Sequence, residues 1–546
     1  MPLMTGGKAV VESLKRGGVE IVFGLPGVQI MSIFDAFYGE RDVRLITVRH
    51  EQSAVYMADG YARIKGKPGV GLVVPGPGVQ NALAALGTAY ACSSPVLLLA
   101  GQVESKDLGS NLGALHEVND QLDMVRPVTK WCRRVMRVEE IPGAIHQAMT
   151  QMQTGRPRPT EVEIPWDTLR STADVDFLSP EAPVRPVPDR MSIQRAVELL
   201  TQARKPFIWA GGGAILAEAS PELRELAECL GAPVGTTAEG KGSIPEDHPL
   251  SLGGAYYGFG ASRWALPQAD VVLAIGTRLS WLQMRPGTAL KPPQKLIQVD
   301  ADPSVIGKAY PADVSIAADA RIGLKALLEE ARRKKIIHGR WSPSELDCCH
   351  KKHQSWLQEK APLQNEVIQT LRKKLPDDAI LVSGVTNIGY WSNLAYTVRH
   401  PRTYLTSSYF ATLGYSFPTA LGAKLAAPDK QVVCVVGDGG FLYGCAELAT
   451  AVRQGINLVT VVFNDGAFGS TKSDQMVNFN GRIVGTELNN PDFAKLAELF
   501  GAKGLKAEPE QLGKALDEAL GAQRPVVIEV PLPTLIAPFQ IFSEPE

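Results

Sequence analysis

Two aspartates in the last third of the chain stand where residue type and spacing point to chemistry. Asp438 lies in Gly437-Asp438-Gly439-Gly440, directly after the apolar run QVVCVV (431–436), and Asp465 lies in Asn464-Asp465-Gly466, directly after NLVTVVF (457–463). Both runs predict buried strands, and the segment from Phe441 to Gln454 predicts a helix stopped by Gly455. In such a unit the strands are parallel, so both aspartates reach carboxyl ends on one edge of the sheet, where open α/β folds bind ligands. Glycines there let backbone N–H groups approach a phosphate at a helix N-terminus. Two carboxylates beside a phosphate would repel it unless a divalent cation lay between them, and hard oxygen ligands suit Mg²⁺. The spacing predicts a metal–diphosphate anchor. Taken singly, either motif is equally well a tight turn.

The elements that would position this edge recur along the chain. Its 546 residues correspond to about three or four domains. Helices such as AVVESLKRGG and EQSAVYMADGYARIKG alternate with continuous apolar strands such as VEIVFGLPG and PVLLLAGQ, which indicates parallel sheets covered on both faces. The expected fold is α/β, with three doubly wound parallel-sheet domains at 1–170, 190–332 and 365–546. A Pro-rich linker without period (171–190) and a charged, irregular link (RRKKIIHGRWSPSELDCCHKKHQSW, 332–356) are expected between them.

Composition narrows the function classes. Hydrophobic residues are 45% and charged residues 21%, as in globular proteins, and 56 Lys plus Arg against 57 Asp plus Glu leaves a net charge of −1. That balance argues against a nucleic-acid partner. Apolar runs fall well short of the roughly 18 residues a membrane span needs. The seven scattered cysteines form no CxxC pair, and the first residues enter an amphipathic helix with no signal-peptide core. A soluble cytoplasmic enzyme is the expectation.

The most specific feature is the triplet Gly437-Asp438-Gly439 followed by 24 residues and then Asn464. This pattern resembles the cofactor motif of thiamine-diphosphate-dependent enzymes. The resemblance covers nearly the whole chain and is nearest the acetolactate synthase, benzaldehyde lyase and 2-hydroxyacyl-CoA lyase branch. Supporting stretches are FGLPG (23–27), RHEQSAVYMADGYAR (49–63), GPGVQNALAALGTAYACSSPVLLLAGQ (76–102), LIQVDADP (296–303) and NPDFAKLAELFGA (490–502). It implies pyrimidine-binding, central and pyrophosphate-binding domains in that order, with thiamine diphosphate and Mg²⁺ as cofactors. The implied metal ligands are Asp438, Asp465 and the main-chain carbonyl of Ala467, with Gly437, Gly439 and Gly440 around the diphosphate. The family often has Asn-Asn where this chain has Asn464-Asp465, which changes the charge of the site but keeps an oxygen ligand.

Glu51 matches the family's catalytic glutamate, which bonds N1′ of the aminopyrimidine and favours the imino tautomer that deprotonates the thiazolium. By itself it is equally a glutamate at a helix N-terminus, worth about 0.3–1 kcal/mol through the dipole. Leu413 matches the apolar wedge that bends the cofactor, and Ala411 the carbonyl that receives its 4′-amino group. Asn387, Ile388 and Gly389 in VTNIGYW (385–391) depart from the acetolactate synthase pattern. Substrate-pocket positions by the same resemblance are Val28, Gln29, Gln80, His116, Ser470 and Thr471. His116 has the titration range of a proton donor, although a capping histidine fits as well. The polar segment 466–489 is a candidate lid.

The resemblance leaves FAD and ADP both open for the central domain, which carries GGG (211–213) and GTR (276–278) but has GGAYYGFG (253–260) in place of the family's Met-His-Gly. The implied reaction is decarboxylation of a 2-oxo acid and addition of the resulting enamine to a second carbonyl compound. Alternatives are cleavage of acyloins or 2-hydroxyacyl-CoA, simple non-oxidative decarboxylation, and a flavin-dependent oxidase of the pyruvate-oxidase kind. The family places the cofactor between two subunits, so a homodimer is the minimum assembly expected and a homotetramer the expected one.

Overall fold

The computed structural model describes residues 2–179, 181–285, 287–335 and 341–543. Met1 and residues 544–546, included in the expected outer domains, lie outside the described residues, as do 336–340 of the expected second link.

Three parallel sheets of six strands each form the scaffold. In the first, the order is Arg44–Thr47, Ile21–Gly24, Gly69–Val73, Val96–Gln102, Thr160–Pro165, Trp131–Arg134. In the last it is Tyr404–Leu405, Ile380–Ser383, Val432–Gly437, Val459–Asn464, Val526–Pro531, Lys503–Lys506. Numbered within each domain, both orders are 2-1-3-4-6-5. The central sheet runs 3-2-1-4-5-6 instead, from Ser251–Gly254 through Val234–Thr236, Pro206–Ala210, Val271–Ile275 and Lys295–Asp300 to Val314–Ala317, the order of dinucleotide-binding folds. The strands are buried almost throughout because helices cover both faces, which is why they read as unbroken apolar runs.

The outer domains share a core. A single buried cluster runs from Phe23, Val55 and Leu98 of the first domain to Phe417, Leu421 and Val436 of the last. Its centre is the crossing of the Glu51–Lys65 and Ser416–Ala426 helices. A Cβ at Gly60 would fall on the Thr419 carbonyl, and one at Gly422 on the Met57 carbonyl, so the two backbones approach as closely as glycine allows. Arg63, 7% exposed, ties all three domains: it donates to the Thr406 carbonyl (2.7 Å), to the Tyr415 hydroxyl (3.1 Å) and to Glu239 of the central domain (2.7 Å).

Three expectations need correction. The second link is not irregular: Pro343–Lys360 is an 18-residue helix opened by a Ser342/Glu345 capping box. Its buried side chains, Leu346, Cys349, His353 and Leu357, make a stripe too narrow and too mixed in type to stand out among the charges. The linker is without helix or strand at 175–179 and 181–189, as expected, but Thr172–Asp174 pairs antiparallel with Leu3–Thr5 and Arg190 already opens the Arg190–Gln202 helix; Pro180 lies outside the described residues. The single helix expected over 441–454 is broken. Asp438–Leu442 is a short helix, and the chain turns through Tyr443 and Gly444 before Leu448–Gln454.

The glycine crossing yields a test. Gly422→Ala adds a methyl group that the Met57 carbonyl must yield to, so unfolding free energy should drop by about 1–3 kcal/mol, read as an earlier urea midpoint at unchanged slope.

Candidate active site

Parallel pairing of Val432–Gly437 with Val459–Asn464 brings the ends of both strands level, Gly437 opposite Phe463. Asp438 and Asp465 therefore line one groove of ≈210 Å³ at the C-terminal edge of the last sheet, together with Gly437, Gly439, Gly440, Leu413, Ala467, Ser470 and Thr471. Asp438 is 2% exposed, and its carboxylate accepts from Asn490 Nδ2 at 2.6 Å and from the backbone N–H groups of Gly439, Gly466 and Ala467. Burial nevertheless pushes its pKa above the usual carboxylate range. Asp465 rises to about 6, first because it is withdrawn from water and then because the Asp438 charge faces it. Water-poor surroundings and mutual repulsion are what a divalent cation would relieve. The residues fit one, but two carboxylates are too few to hold it alone, and no cluster of three or more His, Cys, Asp or Glu suited to a metal exists among the described residues.

A polar frame holds the pair. Asn490 Nδ2 also donates to Asn464 Oδ1 (3.0 Å), Asn464 Nδ2 donates to Glu529 Oε1 (2.9 Å), and Glu529 Oε2 accepts the Phe493 N–H (3.0 Å). Sequence reasoning missed Asn490 and Glu529 as site residues. The signal for Glu529 was present, a lone carboxylate in the apolar strand Val526–Pro531. Gly439 is needed because a Cβ there would sit 2.7 Å from the Phe468 ring. Since the helix starting at Asp438 has only five residues, backbone N–H groups of the turn, rather than a long helix dipole, are what face an anion here.

Leu413 lines the groove, with its Cδ2 3.8 Å from where a Gly440 Cβ would lie. Ala411 takes a left-handed backbone (φ 51°) and lines a smaller adjoining cavity of ≈40 Å³ with Glu239, Tyr256 and Tyr390. Asn387 lines the groove, but its amide is engaged with the Leu535 carbonyl (2.9 Å) and Gln364 (3.3 Å); Ile388 is buried at its wall.

The remaining predicted residues gather at the equivalent edge of the first sheet. Glu51 is the first residue of its helix, whose N-cap His50 accepts the Gln52 N–H, and its carboxylate receives Asn81 Nδ2 at 3.0 Å in a residue only 8% exposed. Gln29 donates to the Leu115 carbonyl (3.2 Å) while its Oε1 is buried with no hydrogen-bond partner. His116 has φ 69°, its carbonyl lies against Gly76, and its Nδ1 is likewise buried and unpartnered. Gln80 Nε2 reaches Met124 Sδ (3.5 Å), and Val28 is half exposed. Gln121, not foreseen, braces this edge: its Oε1 accepts the Gly76 N–H (2.9 Å), and its Nε2 donates to the Gly101 carbonyl (3.1 Å) and Glu163 (2.7 Å). Within one chain this cluster and the groove remain two half-sites, for the described residues that line the groove all fall between 385 and 535.

A third concavity, ≈200 Å³, opens at the C-terminal edge of the central sheet. Gly212, Gly213 and Gly276 form its floor, a Cβ at Gly213 falling 2.5 Å from the Gly276 Cα, while Arg156, Arg278, Asp300 and Glu239 supply charge.

Comparison with known proteins agrees with this geometry. Three family models match: the thiamine pyrophosphate enzyme N-terminal binding domain over residues 4–124, its central domain over 193–327 and its C-terminal binding domain over 384–530. A probable 2-ketoarginine decarboxylase of Pseudomonas aeruginosa is 36% identical over 545 residues, covering 96% of this chain and 94% of that one. The acetolactate synthase large subunit of Haemophilus influenzae is 35% identical over 545 residues, with the same coverage of both chains. That of Corynebacterium glutamicum is 36% identical, covering 96% of this chain and 86% of its own.

The carboxylate pair sets a proton-linked metal affinity. Because the pKa of Asp465 lies near 6 rather than 3.8, the metal-free chain loses this group's contribution to stability as pH rises through that window, and Mg²⁺ should restore it. Calorimetric titration of the full chain with Mg²⁺ in buffers of different ionisation enthalpy should show release of about half a proton at pH 6 and almost none at pH 8. Asp465→Asn should abolish the difference.

Proposed function

The chain belongs to the thiamine pyrophosphate enzyme family, and from that premise we propose how its two half-sites work as a thiamine-diphosphate-dependent, acetolactate-synthase-like enzyme of 2-oxo acids. The observation that carries the proposal is the buried Asp438–Asp465 pair at the ends of adjacent parallel strands, sharing one groove with Leu413. Asp438, Asp465 and the Ala467 carbonyl would hold Mg²⁺, and the backbone N–H groups of the Gly437–Gly440 turn would face the diphosphate. Leu413 would pack against the cofactor, and the Ala411 carbonyl would be the acceptor for its amino group. When bound, thiamine diphosphate supplies the carbon nucleophile and the electron sink for decarboxylation.

Glu51 holds a proton at the pyrimidine ring and controls which ring nitrogen carries it. Its surroundings suit that task, because a buried carboxyl group tethered by Asn81 does not exchange freely with bulk water. Val28, Gln29, Gln80 and His116 orient the substrate from the same side, and Ser470 and Thr471 from the other. The overall reaction proposed is decarboxylation of a 2-oxo acid with joining to a second carbonyl compound; simple decarboxylation is the alternative, favoured by the relative named as a decarboxylase.

Glu51 and the groove meet only if a second copy brings its first domain over the last domain of this one. The apolar side chains left open on the two half-sites support that assembly: Leu115 is 64% exposed beside His116, and Tyr443 and Phe479 are half exposed in the last domain. A homodimer is the minimal working unit, and two such dimers make the expected tetramer.

The central cavity takes an adenine nucleotide of ADP size, its diphosphate against the Gly212–Gly213 turn and its anionic groups met by Arg156 and Arg278. A flavin ring reaching from it towards the groove would need the space that Tyr256 and Tyr390 fill, where ≈40 Å³ remains.

Two experiments test these readings. Glu51→Gln should lower turnover of 2-oxo acids by about 10²–10⁴-fold with Mg²⁺ and cofactor binding retained. Dissociated and reassociated with an equally inactive Asp438→Asn chain, it should recover about a quarter of wild-type activity, because half the dimers are hybrids and each hybrid has one intact site. No recovery would place both residues in a single-chain site. Heat-denatured protein should release an adenine nucleotide without flavin absorbance; a stoichiometric flavin would overturn the nucleotide assignment.

A further inference from the structure

The groove contains polar groups that neither metal nor cofactor uses. Tyr390, on the Asn387–Ala395 helix, lines both the groove and the ≈40 Å³ cavity behind it, and its hydroxyl faces the side chain of Ser470, which lines the same groove. The ring is held edge-on to Phe539 at 5.1 Å, and Phe539 packs in turn on Tyr257 at 5.2 Å. Burial raises the Tyr390 pKa to about 12, so the hydroxyl keeps its proton at neutral pH. Ser470 is fixed from behind, where its carbonyl accepts Gln540 Nε2 at 3.0 Å. Each of the two hydroxyls has one hydrogen to donate and lone pairs to accept with, so both can serve whatever enters. Thr471 adds a third hydroxyl to the same wall.

The charges absent from this wall are equally informative. Among the described residues, the groove is lined by no acidic side chain apart from Asp438 and Asp465, and by no Lys, Arg or His. A second carboxylate on the substrate would find no cation, and a guanidinium or ammonium no free anion. A purely alkyl chain would cover the Tyr390, Ser470 and Thr471 hydroxyls without offering them a hydrogen-bond partner. The cluster around Glu51 adds two buried polar atoms without partners, Gln29 Oε1 and His116 Nδ1.

We infer that Tyr390, with Ser470 and Thr471, is a specificity-determining element that selects a 2-oxo acid whose chain carries an uncharged hydrogen-bonding group, a hydroxyl or an amide. This inference rests on the proposed 2-oxo acid chemistry of the same groove.

The test is a comparison of kcat/KM for near-isosteric 2-oxo acids by the holoenzyme, with carbon dioxide release as the readout. The set is 2-oxopentanoate, 4-hydroxy-2-oxobutanoate, 2-oxoglutarate, 2-oxo-5-guanidinopentanoate and pyruvate. The hydroxylated acid should exceed 2-oxopentanoate by at least about tenfold, and both charged acids should be poorer still. In Tyr390→Phe, and independently in Ser470→Ala, the ratio of hydroxylated to alkyl substrate should collapse to within about threefold. A wild-type preference for the alkyl or either charged acid overturns the inference, as does an unchanged ratio in both variants. Turnover of none of the five acids, pyruvate included, would instead overturn the 2-oxo acid reading beneath it.

Discussion

Two carboxylates withdrawn from water at the ends of adjacent strands are the constraint around which the last domain is arranged. Neither can be moved apart, because strand register fixes Gly437 opposite Phe463 and so fixes the positions of Asp438 and Asp465. Neither is comfortable as an isolated ion, since burial raises both pKa values and the Asp438 charge raises that of Asp465 further. The protein answers with a frame of amides, Asn490, Asn464 and the backbone of Gly439, Gly466 and Ala467, which orients the charges without neutralising them. A pair held in this way offers oxygen donors and unrelieved charge of the kind a divalent cation suits.

The fold repeats itself to complete that site. First and last sheets share the order 2-1-3-4-6-5, and their C-terminal edges carry complementary equipment: Glu51, Gln29 and His116 on one, the aspartate pair, Leu413 and the hydroxyl wall on the other. The glycine-lined crossing at Gly60 and Gly422 packs the two domains of one chain backbone against backbone. The central domain follows a different strand order and contributes Glu239, whose bond to Arg63 connects the central cavity to the helix that begins at Glu51.

Much of this was legible in the residues. Unbroken apolar strands alternating with helices pointed to three doubly wound sheets, and Gly455 ended its helix as expected, in a left-handed conformation. The Asp438 and Asp465 motifs were legible because strand ends in a parallel pair are determined by local pattern alone. Less visible were elements whose signal is spread over mixed residue types: the Pro343–Lys360 helix hid its stripe among lysines and glutamates although its capping box was written in Ser342 and Glu345. The break at Gly444 was missed because a glycine inside a helical pattern is often tolerated.

Sequence by itself determined the fold class, the family motif and the two aspartates, since each depends on residues close along the chain or on the alternation of strand and helix. Tertiary structure alone decided that Asn490 and Glu529 frame the aspartate pair, that Tyr390 and Ser470 line one groove, and that Glu51 lies outside the lining of the groove that holds Asp438. These depend on contacts between residues tens to hundreds of positions apart, whose meeting is governed by sheet order and helix crossing and leaves no period or spacing to read.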